Sequence, residues 1–374
     1  MKKNLLYALT AVAMLTGCAK SDVVDSEINK EGNLIGFSTY KNISRGNPVD
    51  DNSEFLTKGN TFGVTAFINT EGVTSPYMGI TTEGIEIISD GTKWTYANTS
   101  DQAYWPTKDE TLDFYAYAPY NHPSTTKTFD KANGLTLKYT VPAEEAKQVD
   151  LMYASALEQT KPTDKNSVTL PFKHALTQVH FKVGTKTTNL KVDIAANGIQ
   201  IHNLKNSGSL TMKSNQIDDA AWTLTGDATA KYTVTSDAVT GDYTDGTEAN
   251  PYTEIGNANN ALMLLPQEFV AGDGTAENTG AYLTISCKIY QVLADGTTKI
   301  YLHGDAEAFA PITVGISSAL PAEEGGEATQ IWQRNKKVTY NLLFGAGDGV
   351  LFPIEFATEV EEWQPADGGV IEPK

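Results

Sequence analysis

An all-β fold in two domains is what this chain predicts, on three observations. Short apolar runs alternate at period two, as where Phe62, Val64, Ala66 and Ile68 are set against Gly63, Thr65 and Phe67. Asp-Gly dipeptides recur at Asp90, Asp245, Asp273, Asp295, Asp348 and Asp367, the turn density of a sandwich or barrel. No stretch alternates strand with helix, which argues against a parallel doubly wound sheet. At 374 residues the chain is long enough for two domains of ordinary size.

The N-terminus reads as an export signal. Lys2 and Lys3 form its charged region and Leu5 to Leu15 its apolar run. That run is too short to span a bilayer, which takes about 20 residues. It ends in Leu15-Thr16-Gly17-Cys18, a lipidation box, so residues 1–17 read as a lipoprotein signal peptide and Cys18 as the acylated first residue. Ala19 to Gly32 is polar and aperiodic, as a flexible tether is.

Leu34 to Ile43 then alternates. Ile35, Phe37, Thr39 and Ile43 share one parity and Lys41 breaks the pattern, which predicts a half-buried strand. Ser44 to Ser53 is a loop around Gly46 and Pro48. It exposes Arg45, one of two arginines in the chain.

Strand-like runs follow at short intervals. Trp94 to Tyr96 comes after the turn at Asp90-Gly91. Leu112 to Ala118 is rich in aromatic residues and stops at Pro119, and Leu135 to Val141 stops at Pro142. Val168 to Phe172 leads into Leu176 to Val183, and the domain break is placed there, at residue 172. Leu283, Ile285, Cys287 and Ile289 share a face, and Asp295-Gly296 turns that strand back on Ile300 to Leu302. Pro142 to Lys147 predicts one helical turn at most. Ala258 to Leu265 suits a short helix or a buried strand equally. Asn206 to Ile255, rich in Thr, Asp, Gly and Asn, reads as a strand-poor insertion of loops and hairpin tips.

Composition narrows the function classes. A formal charge of -18 argues against nucleic acid and anionic membrane surfaces, which want basic patches. Cys287 has no second cysteine to pair with once Cys18 is acylated, and its apolar run suits a small core residue. His174 and His180 lie six residues apart, about 20 Å along a strand, too far to share a metal. Asp237, Asp242, Asp245 and Glu248 lack the spacing of an EF-hand loop. Glu144-Glu145 and Glu361-Glu362 are adjacent pairs, whose side chains point to opposite faces of a strand. Nucleophile elbows, phosphate loops and His-Glu-x-x-His are absent, so the reading is a non-enzyme without catalytic residues, metal or cofactor.

With those residues laid out, the chain resembles the fimbrillin-like family, subunits of type V pili. The likeness rests on the lipobox at Cys18 and on a leader strand ending in Ile43-Ser-Arg45. It continues through Tyr104-Trp105-Pro106, Leu112-Asp-Phe-Tyr-Ala-Tyr-Ala-Pro119 and Asp150-Leu-Met-Tyr-Ala154. It ends through Leu170-Pro-Phe-Lys-His174, Leu264-Leu-Pro-Gln267 and Val360-Glu-Glu-Trp363.

The resemblance implies two tandem transthyretin-like β-sandwich domains, 46–172 and 173–374, after a leader of residues 18–45. It implies an outer-membrane lipoprotein at the cell surface, cut between Arg45 and Gly46 by an Arg-specific, trypsin-like protease. It further implies assembly with other pilus subunits by strand exchange, and an adhesion ligand that the sequence does not name. Shaft-forming members carry a C-terminal donor extension, whereas here eleven residues follow Trp363, which suggests a tip or minor subunit. The competing expectation is a surface-anchored lipoprotein that binds glycan or another host ligand and is never cut.

Overall fold

The computed structural model describes residues 33–39, 52–79, 83–106, 110–163, 167–212, 220–256, 261–319, 331–345 and 355–362. Their regular structure is almost entirely strand. Helical turns among them are α1 (Asn52–Phe55) and two 3-10 turns at Thr99–Asp101 and Glu145–Lys147.

The first half supplies β1 (Gly36–Thr39), β2 (Thr61–Thr70), β3 (Val73–Met78), β4 (Ile85–Ser89), β5 (Trp94–Tyr96) and β6 (Thr111–Ala118). It continues with β7 (Thr125–Asp130), β8 (Gly134–Thr140), β9 (Met152–Gln159), β10 (Ser167–Leu170) and β11 (Lys173–His174). The second half supplies β12 (Thr177–Thr185), β13 (Leu190–Leu204), β14 (Ser207–Thr211), β15 (Ala221–Thr225), β16 (Ala230–Thr233), β17 (Val239–Gly241) and β18 (Thr253–Ile255). After these come β19 (Leu262–Leu264), β20 (Tyr282–Val292), β21 (Lys299–His303), β22 (Ala310–Gly315), β23 (Lys336–Phe344) and β24 (Glu355–Glu362).

A seven-stranded sheet runs in the order β11-β9-β6-β2-β4-β5, with β3 also on β2. Alternation gives it two apolar faces. Phe62, Val64, Phe114, Ala116, Met152 and Ala154 point into a core closed on the far side by a small sheet of β1 and β10. Phe67, Tyr115, Tyr117 and Tyr153 point the other way, into the larger core.

That larger core lies between a five-stranded sheet around β12 and β23 and a six-stranded sheet around β13 and β20. β12 and β23 run parallel, with Val179 opposite Val338, Phe181 opposite Tyr340 and Val183 opposite Leu342. Across from them stand Leu283, Ile285 and Cys287, fully buried as the shared parity of that strand predicts.

A four-stranded sheet, β15-β14-β8-β7, joins the two halves of the chain. The hairpin of residues 125–140 comes from the first half, yet β8 ladders onto β14 with Leu137 opposite Leu210. Both side chains belong to the larger core.

The region Asn206 to Ile255 departs from its sequence expectation. It holds β14, β15, β16, β17 and β18 rather than loops. Its Thr-rich composition marks strands, because the β-branched Thr side chain suits a half-exposed pleated surface. In β15 the alternation of exposed with half-buried residues runs without a fully buried position, so no apolar stripe announces it. The ambiguous stretch near Leu265 resolves to a strand, with all three residues of β19 buried.

Candidate functional site

Among the described residues, the first sandwich has a thin second layer. Its two strands are β10 and β1, and β1 is the strand predicted between Leu34 and Ile43. They run parallel, with Gly36 opposite Ser167, Phe37 opposite Val168, Ser38 opposite Thr169 and Thr39 opposite Leu170. The N-terminal part of the segment pairs on its other edge. Trp105 N–H donates to Asn33 O at 2.8 Å, and Ile35 N–H donates to Ala103 O at 2.9 Å. The segment is held on both edges.

Its apolar parity fills the core. Ile35 is fully buried and Phe37 is 6% exposed. The Phe37 ring meets Phe62, Phe114 and Tyr96 edge-on, each with centroids 6.0 Å away. Edge-to-face contacts of this kind add to what area burial alone contributes. Phe172, the last core residue of the first half, closes the same pocket at 5.3 Å from Phe62.

Polar groups latch the strand at both ends. Tyr96 Oη donates to Ile35 O at 2.9 Å, and Trp94 Nε1 donates to Thr39 Oγ1 at 3.2 Å. Lys161 Nζ donates to Asn33 Oδ1 at 2.6 Å. Burial raises the Tyr96 phenol above its usual range, which keeps it a neutral donor.

Taken away, β1 would uncover a groove floored by Phe62, Phe114 and Trp105, and would leave an edge of β10 unpaired. A row of free N–H and C=O groups beside an apolar cleft accepts another strand. Cys18, Arg45 and Gly46 lie outside the described residues.

The second arginine is engaged. Arg334 is half-buried, and its Nε donates to Tyr153 Oη at 2.8 Å, tying the loop before β23 to β9 of the first sheet.

The other polar residues flagged by sequence do not converge. His174 is fully buried with Nδ1 2.7 Å from Asp150 Oδ1, while His180 sits on β12 against Lys337 and Lys182. Glu144 pairs with Lys147, whereas Glu145 accepts from Thr235 N–H at 2.6 Å, so the adjacent carboxylates serve different neighbours. Asp245 accepts from the N–H and hydroxyl of Thr247 and fastens its own turn. Gln267, from the Leu-Leu-Pro-Gln motif, is buried and binds the backbone of Lys205 through both ends of its amide.

Sequence reasoning marked Trp94–Tyr96 and Val168–Phe172 as strand-like but missed that they latch and pair with β1. The alternation of Val168 and Leu170 marks a strand, but nothing in it says which strand lies beside it.

Comparison with known proteins agrees with this architecture. A fimbrial protein from Bacteroides vulgatus superposes with a TM-score of 0.62 at 18% identity, over 89% of this chain and 100% of that one. A candidate cell adhesion protein from Bacteroides uniformis superposes with a TM-score of 0.50 at 15% identity, over 88% and 99%. At those identities the likeness speaks for the fold. The fimbrium subunit Fim1C of Phocaeicola vulgatus is 26% identical over 223 residues, which cover 52% of this chain and 57% of that protein. The match thus spans little more than half the length of that relative. The model of the fimbrillin-like family runs from residue 48 to residue 363, across both cores and starting just past Gly46. The chain belongs to the fimbrillin-like family.

Proposed function

We propose that the protein is a structural or adhesive subunit of a surface pilus, and that β1 is its removable plug. The observation that carries this is the thinness of the second layer. Of its two described strands, one comes from the segment before Arg45-Gly46-Asn47-Pro48, whose composition reads as a loop.

The precursor is exported as a lipoprotein, acylated at Cys18 with a fatty acyl chain such as palmitate, and held at the outer membrane. No described helix is long and apolar enough to cross a membrane. While β1 is in place the sandwich is complete. An Arg-specific protease cuts Arg45-Gly46, the leader leaves, and an extended segment of another subunit takes the groove.

Magnitudes favour a switch that needs a trigger. Burial of Ile35 and Phe37 contributes about 1.5–3 kcal/mol each. Each intramolecular hydrogen bond adds about 0.5–1.5 kcal/mol. While the chain is intact the leader is tethered, so its effective concentration at the groove is high and a free strand competes poorly. Cutting removes that advantage without altering the groove. The engagement of Arg334 with Tyr153 supports Arg45 as the proposed cleavage site.

The test uses the mature chain with Cys18→Ala, trimmed by a trypsin-like protease. A fluorescent peptide of residues 34–43 should bind the trimmed protein and not the intact one. Equal binding to both, or to neither while the trimmed protein stays folded, would overturn the reading.

A further inference from the structure

The face of the seven-stranded sheet opposite the leader groove carries a cavity of about 640 Å³. That size falls in the ~300–1,000 Å³ range of small-ligand pockets. Register builds its floor. Phe67 stands opposite Asp113 and Asn69 opposite Thr111, and cross-strand partners share a face. Strand alternation puts all four on the side of Tyr115.

A β-bulge shapes the next edge. The ladder between β6 and β9 shifts between Leu112 and Phe114, so Leu157 and Glu158 both stand against Asp113. Glu158 adopts a φ of 53°. Its N–H donates to Asp113 Oδ1 at 2.7 Å. Asp113 Oδ2 accepts from Asn69 Nδ2 at 2.8 Å, and Asn69 Oδ1 accepts from Thr74 Oγ1 at 2.7 Å. Bulges recur where a strand must re-aim a side chain at a site. This network fixes both side chains and still leaves an N–H on Asn69 and lone pairs on Asp113.

Tyr115 is the independent observation. It is 2% exposed, lines the cavity, and its hydroxyl makes no hydrogen bond among the described residues. The ring is buried while the hydroxyl is left to the cavity, where a ligand can supply the partner that the protein does not. The ring is held in place by Phe67, with centroids 6.1 Å apart. It is also held by Gly134 (φ +64°), where an added Cβ would stand 2.4 Å from Tyr115 Cε1.

We propose that this cavity binds a saccharide, with Tyr115, Asn69 and Asp113 as its hydrogen-bonding floor and Phe67 and Leu157 as its apolar wall. The mixture of groups selects the class. Sugar hydroxyls both donate and accept, which matches a carboxylate, an amide and two hydroxyls on one floor. The C–H face of a pyranose matches the apolar wall. An anion would meet Asp113 and Glu158, and a cation would meet Lys131 on the rim. A wholly apolar ligand would leave the Tyr115 hydroxyl without a partner. The site is independent of the leader, since it occupies the other face of the sheet.

The test is saturation-transfer NMR on the mature chain carrying Cys18→Ala, with glucose, galactose, mannose and N-acetylglucosamine as probes. At least one sugar should bind. Tyr115→Phe, which keeps the ring and removes only the hydroxyl, should weaken that sugar about five- to tenfold while the unfolding midpoint holds. Asn69→Ala should weaken it as well. No signal from any of the four sugars overturns the proposal. So does a signal that Tyr115→Phe leaves unchanged, or binding of arginine amide in place of every sugar.

Discussion

Phe37 stands opposite Val168 in a parallel ladder, with its ring 6.0 Å from Phe62 on the facing sheet. One residue of β1 therefore touches both layers of the first sandwich. Its ring can leave only if the ladder opens, and the ladder can open only if the ring leaves.

The first prediction concerns that ring. Phe37→Ala should lower the stability of the uncut chain by about 3–5 kcal/mol, the usual range for removing a buried Phe. It should also speed spontaneous exposure of the groove. Denaturant melts and peptide binding without protease measure the two effects. A change below about 1 kcal/mol would mean that the first core does not depend on the leader.

A second prediction follows from His180. Burial, aided by the cations of Lys337 and Lys182, pushes its pKa down to about 4 from an ordinary 6.5. Lys182 also pairs with Glu254 at 3.2 Å. Between those two pH values the unfolded chain binds the proton and the folded chain does not. Stability from this group is therefore whole above pH 6.5 and falls as pH drops toward 4, by at most about 3 kcal/mol. His180→Gln should flatten this part of the pH–stability curve. An unchanged slope in the variant would contradict the assignment.

Cys287 supports a third. It is fully buried, and burial pushes its thiol up to about 12. A disulfide reagent should label it slowly at pH 8 in the native state and rapidly in denaturant. Rapid native labelling would show that the face shared by Leu283, Ile285 and Cys287 opens.

Much of the fold was legible in the sequence, because strands with one buried face announce themselves by parity. Phe62-Val64-Ala66 and Leu283-Ile285-Cys287 are of this kind. β15, whose residues alternate between exposed and half-buried, carries no such signal and read as loop. The strand β1 was legible by the same parity, since Ile35 and Phe37 are buried while Gly36 and Ser38 are only half-buried. Its partner was not. A four-residue strand specifies which side chains go inward but not its neighbour, and β10 lies 131 positions along the chain from Gly36 to Ser167. The crossing of β8 onto β14 was hidden for the same reason. The cavity at Tyr115 depends on a bulge in β9, which no local periodicity marks.

A fourth prediction isolates the second arginine. Arg-specific limited proteolysis of the native mature chain should give a single early cut, at Arg45. Tyr153→Phe removes the hydroxyl that accepts from Arg334 Nε and should raise cutting at Arg334. Early cutting at Arg334 in the native wild-type chain would remove the argument that Arg45 is the accessible site.

The most direct measurement is fibre formation by Arg45→Ala, read by electron microscopy together with the N-terminal residue of the surface protein. Removal of β1 as the step that licenses assembly predicts Gly46 as the N-terminus of wild-type subunits in fibres. It predicts a folded Arg45→Ala protein that stays anchored through Cys18 and enters none. Fibres of normal length from Arg45→Ala, with the leader still attached, would contradict it.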